Sequence, residues 1–214
     1  MSTTIVGVGN IGGAVAGHLV DGGESVVLAA RNVSDAEAVA ERLGPLARAA
    51  ATEEALAGAD AVVLAVWLDP LKDFLGEYAA LLDGKTVLDP TNPVGYDAGG
   101  QMIRTLPEGQ SSGSVVAGLL PASAHYVKAF GTLVAGDLAT QANRAPKRAV
   151  LFYATDDRAA EAAAERLIRT AGFDPLKVGG VADAWRIEVP GGDLQGAVLD
   201  LDQANAALAR KEIA

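Results

Sequence analysis

The chain has 214 residues, and its 17 Lys and Arg against 27 Asp and Glu give a net charge of −10. Half of the residues are apolar and 21% are charged, which excludes a disordered chain and allows one large domain. The absence of cysteine excludes disulfides, thiolate metal sites, iron–sulfur clusters and a cysteine nucleophile. The acidic balance, with scattered basic residues, argues against nucleic acid and anionic membranes as partners.

The beginning of the chain shows no targeting signal. It enters an apolar run at Ile5 without the basic region and cleavage site of a signal peptide. The longest apolar run, Ala61 to Leu68, is far shorter than the ~20 residues that a membrane-spanning helix needs. We therefore expect a soluble protein located in the cytoplasm.

Short β-type runs alternate with longer runs of helical periodicity up to residue 130. This alternation predicts the α/β class, with a Rossmann-type, doubly wound and mostly parallel sheet. Strands are predicted at residues 4–8, 25–30, 48–51, 61–66, 86–88, 126–130, 148–153 and 176–178. Helices are predicted at residues 11–20, 34–43, 70–82, 111–120 and 157–171, with a loop or a short helix at 131–147.

The pattern changes after residue 180. Residues 181–192 are irregular, and apolar residues from Leu194 to Leu208 then repeat at helical spacing. We therefore divide the chain into a Rossmann domain at residues 1–180 and a small helical C-terminal segment at 181–214. The apolar stripe of this segment packs on the sheet, closes the ligand pocket or forms a subunit interface, and the sequence leaves these alternatives open.

A G-x-G-x-x-G motif follows the first predicted strand, opens a helix and precedes a second strand. In this context the motif is typical of dinucleotide binding. Gly7 permits the tight turn, Gly9 lets a pyrophosphate approach the backbone, and Gly12 lets helix and strand pack closely. The helix N-terminus offers its free N–H groups to the phosphates.

The end of the second strand predicts which dinucleotide binds. A chain that prefers NAD places an acid there, but this strand ends in Arg31 and Asn32, and no acid occurs before Asp35. Arg31 is placed to hold a 2′-phosphate, and Asn32 and Ser34 can add hydrogen bonds. Arg31 is otherwise a solvated loop residue, and Ser34 also suits a helix cap. The pattern favours NADP(H) over NAD(H).

Three strand ends carry further candidate residues, because ligands of open α/β sheets bind at the carboxyl ends of the strands. Trp67 either covers the cofactor ribose or packs as a core aromatic. Asn92, followed by Pro93, can hydrogen-bond a carboxamide or a ribose. The third segment supplies candidate substrate residues, which are His125, Lys128 and Phe130.

The side-chain inventory narrows the chemistry. His125 is a proton donor or a structural residue, and Lys128 meets an anionic substrate group or forms an ion pair. Two isolated histidines give no metal-ligand spacing, so no metal is expected. The chain has no G-x-S-x-G elbow and no identifiable Ser-Tyr-Lys dehydrogenase set. A hydride can pass directly between two stacked rings, the protein supplying alignment and water exclusion.

Together these segments resemble the NADPH-dependent coenzyme F420 reductases, also called F420:NADP oxidoreductases. The resemblance covers roughly residues 3–178 and departs from the family at Gly131 and in the tail from Trp185 to Gly192. The matching segments are Gly7-x-Gly9-x-x-Gly12, Ala30-Arg31-Asn32, Leu64-Ala65-Val66, Leu88 to Pro93 and Val127 to Phe130.

The resemblance implies a Rossmann domain closed by a small C-terminal part, commonly a homodimer, and hydride transfer between NADP(H) and a deazaflavin, coenzyme F420, stacked on the nicotinamide. Relatives also act on imines and ferric chelates. An NADPH-dependent reductase of another small acceptor, such as an imine or a flavin, and a non-catalytic NADP(H)-sensing protein are therefore the alternatives. The implied cofactor contacts are Gly9, Asn10, Ile11, Arg31, Asn32, Val66 and Asn92.

Overall fold

The computed structural model describes residues 2–209. An eight-stranded sheet forms the centre of the molecule, and a separate two-stranded hairpin stands beside it. The sheet consists of β1 (Thr3–Val6), β2 (Val26–Ala29), β3 (Ala47–Ala49), β4 (Ala61–Leu64), β5 (Thr86–Asp89), β8 (His125–Ala129), β9 (Val150–Ala154) and β10 (Asp174–Gly179). The hairpin consists of β6 (Val94–Tyr96) and β7 (Met102–Arg104).

The strand order in the sheet is β10-β9-β8-β5-β4-β1-β2-β3. All neighbouring strands pair in parallel except β8 and β9. The chain moves outward from β1 to β3 on one side, and then adds β4, β5 and β8 on the other. The topological switch point therefore lies between β1 and β4, where doubly wound sheets bind their ligands. The predicted Rossmann-type α/β class is confirmed.

Helices cover both faces of the sheet, which is why β1, β2, β4 and β5 are buried along their whole length. The helices are α1 (Asn10–Asp21), α2 (Val33–Leu43), α3 (Thr52–Ala57), α4 (Leu68–Tyr78), α5 (Ser112–Leu119), α6 (Ala135–Thr140), α7 (Arg158–Thr170) and α8 (Leu201–Ala209), with 3₁₀ turns at Ala79–Leu82 and Val181–Ile187. One core cluster packs α1, α2, α6 and α7 on one face, and a second packs α3, α4 and α5 on the other. None of the helices in residues 2–209 is long and apolar enough to cross a membrane.

The sequence pattern missed three short elements, although it predicted the equally short β3. Helix α3 has six residues, and β6 and β7 have three each. Such lengths show too few positions for a helical or strand period to stand out. The longer elements lie close to their predicted places, with ends that differ by a few residues.

The C-terminal segment differs from its predicted pattern. Helical spacing begins at Leu194, but α8 begins only at Leu201, because Gly196 adopts a φ of +63° in an irregular stretch. Leu194 and Ala204 are nevertheless buried, in a third cluster with Phe152 of β9. The described part of the segment therefore packs on the sheet, whereas its part in a subunit interface stays a prediction.

Truncation of Leu194 tests this packing. Leu194 is 3% exposed and Leu201 is 41% exposed. We expect Leu194→Ala to lower the free energy of unfolding by about 2–5 kcal/mol, because it leaves a cavity in the third cluster. The matched control Leu201→Ala should change it by less than about 0.5 kcal/mol. Urea unfolding measures both, and equal losses would contradict the packing described here.

Candidate functional site

The turn between β1 and α1 requires glycine at two positions, because a side chain there would clash with neighbouring backbone atoms. Gly7 has a φ of +90°, and a Cβ there would lie 2.3 Å from the carbonyl oxygen of Ala65. A Cβ at Gly12 would lie 1.9 Å from the carbonyl oxygen of Gly7. Since the neighbouring atoms are backbone, a side chain at either position would separate α1 from the ends of β1 and β4.

Gly9 is different, because a Cβ at this position would meet no atom within 4 Å. Its φ of −71° is one that any residue adopts, so packing does not explain this glycine. Gly9 is the N-cap of α1, where no side chain caps the helix and no acid occurs in the first turn. The first N–H groups of α1 and the positive end of its dipole therefore face open space.

A cleft of about 360 Å³ lies at the switch point, between the segments that follow β1, β4 and β5. None of its described lining side chains titrates, and residues 2–209 contain no group of His, Asp and Glu that could hold a metal ion. A larger depression of about 610 Å³ lies at the opposite edge, beside the amino ends of β2 and β3. The cleft-lining residues are Gly9, Asn10, Ile11, Ala65, Val66, Trp67, Pro90, Thr91, Asn92 and Val94.

The end of β2 adjoins the glycine turn, since the Gly7 N–H donates to the Ala29 carbonyl at 2.8 Å. Arg31, Asn32 and Ser34 are all exposed here, and within residues 2–209 the Arg31 guanidinium has no polar partner. Asn32 is the N-cap of α2, but no side-chain hydrogen bond caps this helix. The cap considered for Ser34 is therefore not observed.

Trp67 is 57% exposed, which rules out the core role considered for it. It is the N-cap of α4 and borders the cleft. Its indole meets the ring of Tyr96 edge to face, with the ring centroids 6.4 Å apart. Trp67 is therefore placed where a ligand in the cleft would contact it.

Asn92 borders the cleft and also connects the loop after β5 to Gly131 and to Val189. Its Nδ2 donates to the Gly131 carbonyl at 2.8 Å, and its Oδ1 accepts the Val189 N–H at 2.9 Å. Pro93 is buried and does not line the cleft, and its carbonyl accepts the Thr105 N–H at 2.8 Å beneath the hairpin. Pro93 thus supports the hairpin between two cleft-lining residues, Asn92 and Val94, and its contact with the cofactor stays a prediction.

Lys128 lies behind the cleft and is 1% exposed. Its Nζ donates to the Asp89 carboxylate at 3.1 Å, to the Ser112 hydroxyl at 2.8 Å and to the Thr91 carbonyl. Asp89 also accepts the Tyr126 hydroxyl at 2.7 Å, and burial together with this carboxylate raises the pKa of Tyr126 well above 10.0. Of the two roles considered for Lys128, the ion pair is observed, and the substrate contact is corrected because the amine is buried.

Glu188 supplies a second, fully buried carboxylate. Its Oε1 accepts the Ser112 hydroxyl at 2.9 Å and the Gly113 N–H at 2.8 Å, and lies 3.9 Å from Nζ of Lys128. Its Oε2 lies 4.0 Å from the Arg104 guanidinium and has no hydrogen-bond partner among the described residues. Asp89, Glu188, Lys128 and Arg104 thus form a charge network that joins the sheet, the hairpin and the C-terminal segment.

The sequence analysis identified Lys128 but missed its partners. A usable signal was present, because Asp89 closes an apolar strand and Glu188 stands between the apolar residues Ile187 and Val189. Charged residues are almost never fully buried unless they are paired. Which acid pairs with which cation depends on contacts across the fold that sequence spacing does not reveal.

Neither His125 nor Phe130 lines the cleft. His125 is at the amino end of β8, the edge opposite the cleft, and its Nδ1 lies 2.6 Å from Oδ2 of Asp157. Its hydrogen bond is the largest cause that lowers the pKa of Asp157. Phe130 has a φ of +65° and is fully buried in the first core cluster. The structure therefore corrects both predicted substrate contacts. His125 is paired with Asp157, and Phe130 is part of the core.

The charge network predicts a large effect on stability. We expect Lys128→Met to lower the free energy of unfolding by about 3–5 kcal/mol, because it leaves two buried carboxylates without their amine. The matched control is Lys72→Met, which removes an exposed lysine 2.8 Å from Asp69 and should cost less than about 1 kcal/mol. Urea unfolding at neutral pH compares the two, and a similar small cost for both would contradict the network.

Part of the chain matches a known protein family in sequence. Residues 2–93 match the family model described as NADP oxidoreductase, coenzyme F420-dependent. The resemblance identified in the sequence is thereby confirmed over these residues, which contain the glycine turn, the end of β2 and the loop after β5. The enzyme class of that family is the predicted one, NADP-dependent oxidoreductase. Among curated proteins, no sequence matches the chain.

Solved structures show the same fold over most of the chain. The hypothetical protein SMa0349 from Sinorhizobium meliloti is similar with a TM-score of 0.82 and 28% identity, over 94% of this chain and 95% of that one. A protein proposed to be an F420-dependent NADP reductase, from Arthrobacter sp. FB24, has a TM-score of 0.73 and 24% identity, over 85% and 86% of the two chains. A reductive aminase from Aspergillus terreus, in complex with NADPH and ethyl levulinate, has a TM-score of 0.61 and 20% identity, over 99% and 61%. The last two similarities establish the fold alone.

Proposed function

We propose that the chain binds NADP(H) and transfers a hydride between its nicotinamide and a deazaflavin, coenzyme F420, stacked against it. The main support for this proposal is the glycine turn. Packing requires glycine at positions 7 and 12, but Gly9 leaves open space at the cleft. This is where a pyrophosphate approaches the backbone in a dinucleotide fold. The family matched by residues 2–93 supports the same class of reaction.

The residues present fit NADP(H). The backbone N–H groups of Asn10 and Ile11, at the uncapped start of α1, would hold the pyrophosphate. Arg31 would hold the 2′-phosphate, because its guanidinium is exposed and uncommitted among the described residues. Asn32 and Ser34 stand beside it. Val66, Trp67 and Asn92 would border the nicotinamide half.

The cleft suits a reaction that needs no protein acid or base. When bound, the nicotinamide supplies or accepts the hydride. The cleft-lining side chains described here contribute no titratable group, so the protein's part is alignment and exclusion of water. In the reducing direction the acceptor gains a hydride from NADPH and a proton from solvent, and NADP⁺ is released.

A second candidate is an NADPH-dependent reductase of another small acceptor, such as an imine or a flavin. The observation that favours it is that no cationic side chain lines the described cleft, although coenzyme F420 carries an anionic tail. A cofactor-sensing protein without turnover is the third reading. We extend to all three the expectation of a cytoplasmic homodimer with a small-molecule ligand.

The direct test mixes the purified protein with NADPH and coenzyme F420 and follows the visible absorbance of the deazaflavin. Loss of this absorbance with NADPH, and a much slower loss with NADH, is the expected result. Unchanged absorbance while NADPH remains bound would reject the deazaflavin reaction. The same assay with an imine or a flavin then separates a different reductase from a protein that only binds the cofactor.

Arg31 tests the choice of cofactor. We expect Arg31→Ala to raise the Kd for NADPH by about 10–100-fold, the usual value of hydrogen bonds to a charged group, and to leave the Kd for NADH nearly unchanged. The matched control is Arg42→Ala, which removes the same charge from the far end of α2. Fluorescence titration measures each Kd, and equal loss of NADPH and NADH affinity would count against a 2′-phosphate contact.

A further inference from the structure

The cleft continues onto the hairpin formed by β6 and β7. In this pair Val94 lies opposite Arg104, and Tyr96 lies opposite Met102. Directly opposed residues share a face of a hairpin, and alternate residues along a strand return to it. Since Val94 lines the cleft, Tyr96 and Met102 extend that face beyond the cleft's edge.

Trp67 completes this face from the other side. Its indole borders the cleft and meets the Tyr96 ring edge to face, 6.4 Å between centroids. Trp67, Tyr96 and Met102 are 57%, 59% and 47% exposed, so three large apolar side chains stand in solvent beside a ligand cleft. Clustered exposure of this kind marks a binding surface. We call Trp67, Val94, Tyr96 and Met102 the aromatic wall.

The hairpin is held firmly despite its short strands. Asp97 accepts the N–H groups of Gly99 and Gln101 at 2.8 and 2.9 Å, which fixes the turn. At its base, Arg104 donates to the Pro190 carbonyl at 3.1 Å and to the Gln110 carbonyl. The aromatic wall is therefore a preformed surface, which keeps the entropy cost of ligand binding low.

Charge around the wall restricts what can bind. Two carboxylates lie next to the wall along the chain, since Asp69 is two residues from Trp67 and Asp97 directly follows Tyr96. Lys72 is paired with Asp69 at 2.8 Å, and Arg104 is bonded to backbone carbonyls. The elements that build the wall thus offer an anion no uncommitted cation, and their net charge is repulsive to it.

We infer that the aromatic wall is the binding site of the second substrate and takes the face of an uncharged, conjugated ring, with Tyr96 and Met102 as specificity-determining residues. The inference rests on the proposed function, because a hydride acceptor must lie beside the nicotinamide end of the cleft. Aromatic faces bind flat rings by offset or edge contacts, and the polarizable sulfur of Met102 adds to them. An anionic tail is directed away from the wall.

The experiment uses riboflavin as an uncharged ring probe. The chain has two tryptophans, so Trp185→Phe leaves Trp67 as the single tryptophan reporter. In this background, with saturating NADP⁺ to prevent turnover, riboflavin should quench Trp67 fluorescence and yield a Kd. FMN carries the same ring with a phosphate, and we expect it to bind no more tightly than riboflavin.

Hairpin variants then locate the ring. Tyr96→Ala should raise the Kd for riboflavin about fivefold and Met102→Ala about threefold, whereas Tyr96→Phe should retain affinity. The matched control is Ile103→Ala, which removes a side chain of similar exposure, 42%, from the opposite face of the same hairpin. It should change the Kd less than about twofold. The Kd for NADP⁺ should stay constant in every variant.

Several results would overturn the assignment. These are absence of Trp67 quenching, equal effects of Met102→Ala and Ile103→Ala, or tighter binding of FMN than of riboflavin. A smaller species for Tyr96→Ala in sedimentation would assign the wall to a subunit contact instead. The proposed function fails separately: riboflavin that binds through Tyr96 while neither coenzyme F420 nor a flavin oxidises NADPH would support ring binding at the wall and reject the deazaflavin reaction.

Discussion

The close approach of two backbones, at Gly7 and Ala65, is the constraint on which the cleft depends. A Cβ at Gly7 would come within 2.3 Å of the Ala65 carbonyl oxygen, so the turn after β1 and the end of β4 touch without an intervening side chain. This contact brings the start of α1 and Trp67 to the same cleft. Because backbone atoms make it, the spacing does not depend on side-chain rotamers, and a helix terminus that attracts phosphate is held at a fixed place beside an aromatic ring.

The loop after β5, which also lines the cleft, is positioned by polar contacts. The loop after β5 is tied through Asn92 to the end of β8 and to Val189, and through Thr91 to Lys128. Buried ion pairs contribute little net stability compared with apolar residues of the same size, but they strongly disfavour arrangements that leave one charge alone. The network of Asp89, Lys128, Glu188 and Arg104 therefore fixes where the C-terminal segment and the hairpin lie relative to the sheet, rather than adding much to the strength of the fold.

Sequence patterns revealed the fold and half of the cleft, for a physical reason. The fully buried strands and the glycine turn are local features, and each is written in consecutive residues such as those from Gly7 to Gly12. Contacts between residues that are far apart in the chain could not be predicted from such local patterns. His125 and Lys128 were candidates because of their chemistry and strand positions. His125, however, lies at the edge of the sheet opposite the cleft, and the Lys128 amine is buried and hydrogen-bonded to Asp89 and Ser112. The hairpin was missed because its three-residue strands are too short to show a period, and Gly95 and Pro93 make the first of them resemble a loop.

The distribution of charge gives the two ends of the cleft different chemistry. The chain carries a net charge of −10, yet the cofactor proposed for it is itself anionic. Attraction must therefore be local, and the structure supplies it at one end only, through the uncapped start of α1 and the uncommitted Arg31 among the described residues. At the other end the exposed side chains are Trp67, Tyr96 and Met102, and the charged residues nearest to Trp67 and Tyr96 in the chain are the acids Asp69 and Asp97. Such an arrangement would orient a dinucleotide by its phosphates, because its charged half would be attracted to the end where the acidic chain is locally positive. The apolar end would remain for the ring proposed above, whose binding does not depend on charge.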